Sequence, residues 1–197
     1  MIAEPEQLRE LRDEVLRKIG RNVLNLQKME ALLKYFVTIA KIEGNPNEID
    51  KILAKNAKSV SRHTLGRLAD TYIRTLHAKG EVPDAAPEDP SQIHISTTFR
   101  IECEEKTTAD RKKALSTVAQ ERNNLIHKML MKFDPNDFSS CQELAEKLDA
   151  QFELIKPQHQ ELIADYQTYQ ELIQEFSRHV QSDEFLSDDY AVEESET

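Results

Sequence analysis

The sequence predicts an all-α protein, an elongated bundle of about four long helices with one short strand-like arm at about 93–103. Three observations carry that expectation. Glycine numbers only 4, tryptophan is absent, and the strong helix formers Leu, Glu, Gln, Lys and Ala dominate. Apolar residues recur every three to four positions over most of the chain, as in helices with one buried face. A single stretch alternates instead with a period of two.

Residues 5–43 read as one long helix, with Pro5 in its first turn and Gly44-Asn45-Pro46 as its stop. Its stripe is Leu8, Leu11, Val15, Ile19, Val23, Leu26, Leu33, Val37 and Ala40, broken by Glu30 between Leu26 and Leu33. A helix of that length spans about 58 Å at 1.5 Å per residue, more than this chain needs to cover it, which points to a partner along part of it. A short helix follows over 46–57. Another is expected over about 62–79, capped by Ser61, with Leu65, Leu68, Tyr72, Ile73 and Leu76 inward. His77 in its last turn reads as a surface cap rather than a ligand.

Residues 80–92 hold three prolines and four acids and read as an exposed, mobile linker. The alternating stretch Ile93–Cys103 is the strand-like arm. With no second strand in view, it needs a small hairpin, the surface of the bundle or a second copy to satisfy its backbone. A helix is expected from about Thr108 to Lys132. A last one, with Ser140 and Glu143 as a capping box, keeps its stripe from Leu144 through Tyr166, Tyr169, Ile173 and Phe176 to Val180, kinked at Pro157. The expected organisation is one helical domain over 1–181, with linker and arm at 80–104, and an acidic disordered tail at 182–197.

Net charge is −10, which argues against a polyanionic partner until its placement is seen. The tail holds seven acids and no base, so the rest of the chain carries only −3. Lys106–Lys132 has seven bases and two acids, and Lys51–Gly80 seven bases and one acid. Two basic helical segments therefore keep a polyanion in play. No run of 18 apolar residues and no signal-peptide pattern is present, so a cytoplasmic protein without a membrane partner is expected. Cys103 and Cys141 fit reduced thiols rather than a disulfide framework. The six histidines and two cysteines show no metal-ligand spacing, and neither a phosphate-binding glycine loop nor a nucleophile elbow occurs. No metal and no cofactor is expected.

The chemistry concentrates in Glu121-Arg122-Asn123-Asn124-Leu125-Ile126-His127-Lys128. At about 100° per residue Arg122 falls in the middle of the apolar stripe Leu115, Val118, Ala119, Leu125, Ile126, Met129 and Leu130. A guanidinium there needs a partner or a wet groove, because burying it unpaired is prohibitive. Asn123 and His127 are four apart and share one margin of the stripe. On the first helix, Glu30 and Lys34 form an i,i+4 pair that reads either as a surface ion pair or as a group facing Arg122.

Arg122-Asn123-x-x-x-His127 resembles the Arg-x(4–6)-His motif of the HEPN superfamily. Glu30-Ala31-Leu32-Leu33-Lys34 looks like the Glu-x-x-x-Lys element that some of its families carry on the facing helix. Thr38 stands where those families have a further polar residue, a histidine. The motif covers about six residues, and the helical architecture covers residues 1 to about 181. The resemblance implies an all-helical, often dimeric, metal-independent ribonuclease leaving 2′,3′-cyclic phosphates, a toxin or an effector of anti-phage defence or RNA processing. It implies His127 as proton-transfer group, Arg122 on the phosphate, Asn123 as orienting residue and Glu30 opposite. Lys34, Lys128 and Lys132 are then the candidate RNA contacts. Arg122 and His127 are roughly 140° apart on a regular helix, so a shared pocket needs a groove, and one lined by two copies of this helix is expected. The expected partners are RNA, a second copy, and an antitoxin or defence-system protein. The other reading is a non-catalytic helical bundle, an adaptor or an inactive HEPN that holds RNA, nucleotide or a protein partner.

Overall fold

The computed structural model describes residues 5–77 and 94–182. The expected linker and acidic tail lie outside the described residues. Helix α1 runs Glu6–Ile39 and strand β1 Lys41–Gly44; a 3-10 turn at Pro46–Glu48 leads into α2, Ile49–Val60. Helix α3 is Leu65–Leu76, strand β2 Ile95–Thr98 and α4 Glu105–Asn124. A π-helical turn, Leu125–Met129, and a last turn, Leu130–Lys132, extend α4, and α5 is Phe138–Val180. The protein is all-α, with one small two-stranded antiparallel sheet among the described residues. The chain divides into a body ending at Gln160 and a second unit beginning at Glu161.

In the body, α1 packs on α2 and α3, and α3 packs on α4. Phe36 is fully buried and meets the rings of Tyr72 and Phe99 at 5.6 and 6.2 Å between centroids. The seam α1 buries is Val15, Asn22, Leu26, Met29, Leu33, Phe36 and Ile39. It differs from the expected stripe because the contacts repeat every seven residues through 15, 22, 29 and 36. Asn22 is thereby core, Val23 marginal, and Glu30 lies beside the seam rather than breaking it.

The long first helix ends at Ile39, not at residue 43. The next four residues pair with the arm, Lys41 opposite Thr98 and Gly44 opposite Ile95. Phe99 N–H extends the pairing to Ala40 O at 3.0 Å, and Ile101 N–H bonds Leu76 O at 2.7 Å. The arm is four residues of strand rather than eleven, and its partner is this chain. Periodicity alone misses the pairing because the two strands lie some fifty residues apart. Gly44 takes φ +145°, and a Cβ there would lie 2.8 Å from Ile52 Cδ1. Gly44→Ala is expected to cost about 1–3 kcal/mol from the backbone conformation alone, seen as a lower urea midpoint.

Two caps also differ. Helix α3 starts at Leu65 behind Thr64, not behind Ser61. Asp137 begins α5, its Oδ2 accepting from Ser140 N–H at 2.7 Å, while the Ser140 hydroxyl accepts from Asp134 N–H at 3.0 Å. Ser140 is thus spent on the preceding turn, and the expected Ser140–Glu143 capping box does not form. Helix α5 continues through Pro157. In the second unit Leu162 is buried, whereas Tyr166, Ile173 and Phe176, expected as core, are exposed. His77 is buried rather than a surface cap. Its Nδ1 lies 3.3 Å from Cys103 Sγ, and its ring stands edge-on to Tyr72. The sulfur also meets Thr108 Oγ1 at 3.1 Å, so the trio joins the end of α3 to the start of α4.

Candidate functional site

The candidate site is built on α1 and on the junction of α4 with the π turn. Leu115, Val118, Ala119 and Leu125 anchor α4 by burial. A chain of buried amides then fixes the motif in register. Asn22 Nδ2 donates to Leu148 O at 2.8 Å and to Gln151 Oε1 at 3.1 Å. Gln151 Nε2 donates to Glu121 O at 2.9 Å and to Glu121 Oε2 at 3.2 Å. Glu121 is therefore held at its backbone and its side chain, one residue before Arg122. Sequence periodicity placed apolar residues on the seams of α1 and α5 and did not single out Asn22 or Gln151.

Arg122 is half-buried and lines a groove of about 400 Å³ with Glu30 and Lys34, over apolar walls that include Leu26, Leu65 and Ile126. Glu30 is paired with Lys34 at 2.8 Å, both side chains half-buried. Arg122 Nη1 bonds Asn123 Oδ1 at 3.3 Å, and among the described residues Arg122 has no carboxylate partner. The structure thus brings Glu30, Lys34 and Arg122 to one groove, with two cations and one anion. It does not bring His127 there. His127 and Asn123 are exposed and line a neighbouring open hollow with Lys128. Lys128 also lines a third hollow with Lys132, beside the Lys147–Glu143 ion pair. Arg122 and Asn123 meet again in a small hollow against Thr64 and Gly66, so Arg122 opens to two sides of α4.

The π turn bears on that separation. Leu130 N–H bonds Leu125 O, an i→i+5 pattern that sets more residues in each turn than a regular helix has. His127 is rotated less far from Arg122 than the 140° of a regular helix. Such turns interrupt the helical ladder and occur often at functional positions.

One residue that sequence reasoning left unassigned stands near the groove. Burial first, then the charges of Arg67 and Lys34, push the pKa of His63 below the ordinary histidine value. Its Nδ1 is buried without a hydrogen-bond partner among the described residues. His159 on α5 is shifted the same way, by burial and then by Lys28. Both rings stay neutral in the folded chain where the unfolded chain takes up protons. Stability contributed by the neutral rings is complete above pH 6.5 and is lost as pH falls below it. The urea midpoint is expected to fall between pH 7.5 and 5.5, and His159→Gln to flatten part of that fall. The Asp149 carboxyl, held low mainly by Lys18 with Arg21 adding to it, titrates below that window and does not confuse the result.

Among the described residues no three His, Cys, Asp or Glu side chains gather to hold a metal ion. No helix of the described residues is long and apolar enough to cross a membrane. Neither protein-family models, curated proteins nor solved structures yield a match to the chain.

Proposed function

We propose that the protein is a metal-independent endoribonuclease of HEPN type, working in the cytoplasm as a homodimer in RNA processing, toxin–antitoxin or anti-phage defence. The observation that supports this most is a half-buried arginine that has no carboxylate partner among the described residues, set in an apolar-walled groove beside a Glu–Lys pair. Such a guanidinium stays protonated and forks onto two phosphate oxygens, so it suits the charge that builds on a pentacoordinate phosphorus. His127 takes the proton of the RNA 2′-hydroxyl, whose oxygen bonds to phosphorus as the bond to the 5′-oxygen breaks; the imidazolium returns that proton to the departing 5′-oxygen, leaving a 2′,3′-cyclic phosphate and a 5′-hydroxyl. Asn123 orients the phosphate or the imidazole. Lys34, Lys128 and Lys132 hold the neighbouring backbone, and Glu30 keeps Lys34 in the groove.

Within one chain Arg122 and His127 open into different hollows. The reading therefore has a second copy place its His127 against Arg122 of the first, in a centre shared across a two-fold axis. An antitoxin or defence-system protein is the other partner it invites. The same separation favours a second reading, a non-catalytic bundle that binds RNA, nucleotide or a protein partner through the Arg122 groove. Incubation of purified protein with mixed RNA in excess chelator decides between them. Cleavage to cyclic phosphate ends by the parent, and not by Arg122→Ala or His127→Ala, supports the ribonuclease. No cleavage, or equal cleavage by all three, leaves the binding protein.

A further inference from the structure

The C-terminal part of α5 plays no part in the site above. A seam with alternating steps of four and three residues runs along this helix from Cys141 to Val180, and eleven of its twelve positions are hydrophobic, His159 being the exception. Cys141, Ala145, Leu148, Ile155 and Leu162 are buried. Beyond Leu162 the same spacing continues through Tyr166, Tyr169, Ile173 and Phe176. There the burial stops, with Ile173 43 % and Phe176 59 % exposed. Leu172 on one flank of the seam is 50 % exposed, and Ile163 on the other flank is exposed too.

A stripe on a lone helix follows 3.6 residues per turn. A strict repeat of 3.5, held over more than five heptads, is what lays one seam along a second helix. Twenty residues of helix are also marginal in water unless an apolar face is covered, and apolar faces of this kind mark association surfaces. A second copy supplies a seam of the same spacing and length by symmetry. Charge selects its direction. The segment starts acidic, with Glu161 and Asp165, and ends basic, with Arg178 and His179. Parallel copies set like ends side by side, whereas antiparallel copies lay the acidic start of one along the basic end of the other. It is the sign of the charge at each end, not any single ion pair, that decides. Apolar groups agree with that direction. Antiparallel pairing sets Tyr166 opposite the partner's Phe176, Tyr169 opposite the partner's Ile173, and Leu172 beside its own counterpart. Parallel pairing would set Leu172 against Ser177.

We propose that residues 163–176 of α5 are a self-association surface, on which a second copy of the chain seats the same stretch antiparallel, about a two-fold axis beside Glu171. Every contact is then made twice, as closed two-fold symmetry requires. The surface uses neither Arg122 nor His127 and does not rest on the ribonuclease reading.

The test is disulfide trapping in the full chain, with Tyr166→Cys and Phe176→Cys carried on separate chains. Both positions are exposed, so the fold tolerates either exchange. Under mild oxidation the mixture is expected to give a covalent dimer, one chain of each kind, at least ~10-fold faster than either variant alone, because only the mixed pair comes within disulfide reach. Adding Leu172→Glu to both chains sets two carboxylates together at the axis and is expected to slow trapping at least ~10-fold, with an unchanged urea midpoint. Parent protein, carrying only Cys103 and Cys141, is expected to give no covalent dimer. Trapping is expected to be the same in an Arg122→Ala background, so a failed pairing and a failed ribonuclease reading are told apart. Each variant trapping best with itself means parallel pairing and overturns the proposal. No covalent dimer, or trapping untouched by Leu172→Glu, also overturns it and leaves the face to another protein or to the chain's own tail.

Discussion

Mixing Arg122→Ala protein with His127→Ala protein is expected to restore the proposed metal-free RNA cleavage, which neither variant is expected to perform alone. Each single variant is expected to lose at least ~100-fold in rate, because general acid–base catalysis and phosphate stabilisation each supply that much or more. If Arg122 of one copy works with His127 of the other, a mixed dimer holds one intact centre and one that lacks both residues. With random exchange, half the dimers are mixed and each has one centre of two, so activity returns to about a quarter of the parental rate. A centre complete within one chain gives no recovery, since every copy lacks one of its own residues. The comparison needs only subunit exchange, checked by dimer mass, and a quantified RNA substrate. No recovery from exchanged dimers of active parent protein would sink the shared-centre geometry.

The second large effect concerns stability. Gln151→Leu is expected to destabilise the fold by about 2–3 kcal/mol, because it takes from the buried Asn22 amide one of its two acceptors and removes both bonds to Glu121. In a chain of this size that lowers the melting temperature by about 5–10 °C. Asn22→Leu is expected to cost about as much, since Asn22 is fully buried and also accepts from Arg21 Nε at 3.1 Å. The double exchange is expected to cost at least ~1 kcal/mol less than the sum of the two, because replacing both partners leaves fewer stranded groups than replacing one. Strict additivity in a urea-denaturation cycle would show that the amides do not act as a pair. The chain Asn22–Gln151–Glu121 ties α1 and α5 to the turn that carries Arg122. If the proposed RNA site is there, Gln151→Leu is expected to weaken RNA binding as well as the fold.

The helical class, most element positions and the polar character of the motif helix were legible in the sequence, because helical burial repeats locally and leaves its period in the residues. Leu115, Val118, Ala119 and Leu125 on α4, and Leu144, Leu148 and Ile155 on α5, are buried as that period requires. Glu30 and Arg122 could be suspected of sharing a groove because each is a charge beside an apolar seam, and they do line one. What tertiary structure decided depends on distant partners. Residues 41–44 are strand only because 95–98 lie beside them, and nothing within either stretch announces the other. Asn22 and Gln151 look like surface amides until two helices bring them within 3.1 Å of each other. His77 is buried because Cys103 and Tyr72 close over it. The π turn at Leu125–Met129 resets how far His127 stands from Arg122, a rotation no residue pattern specifies. Local periodicity determines which residues face inward; only packing determines which inward faces meet, and with them which charges share a groove.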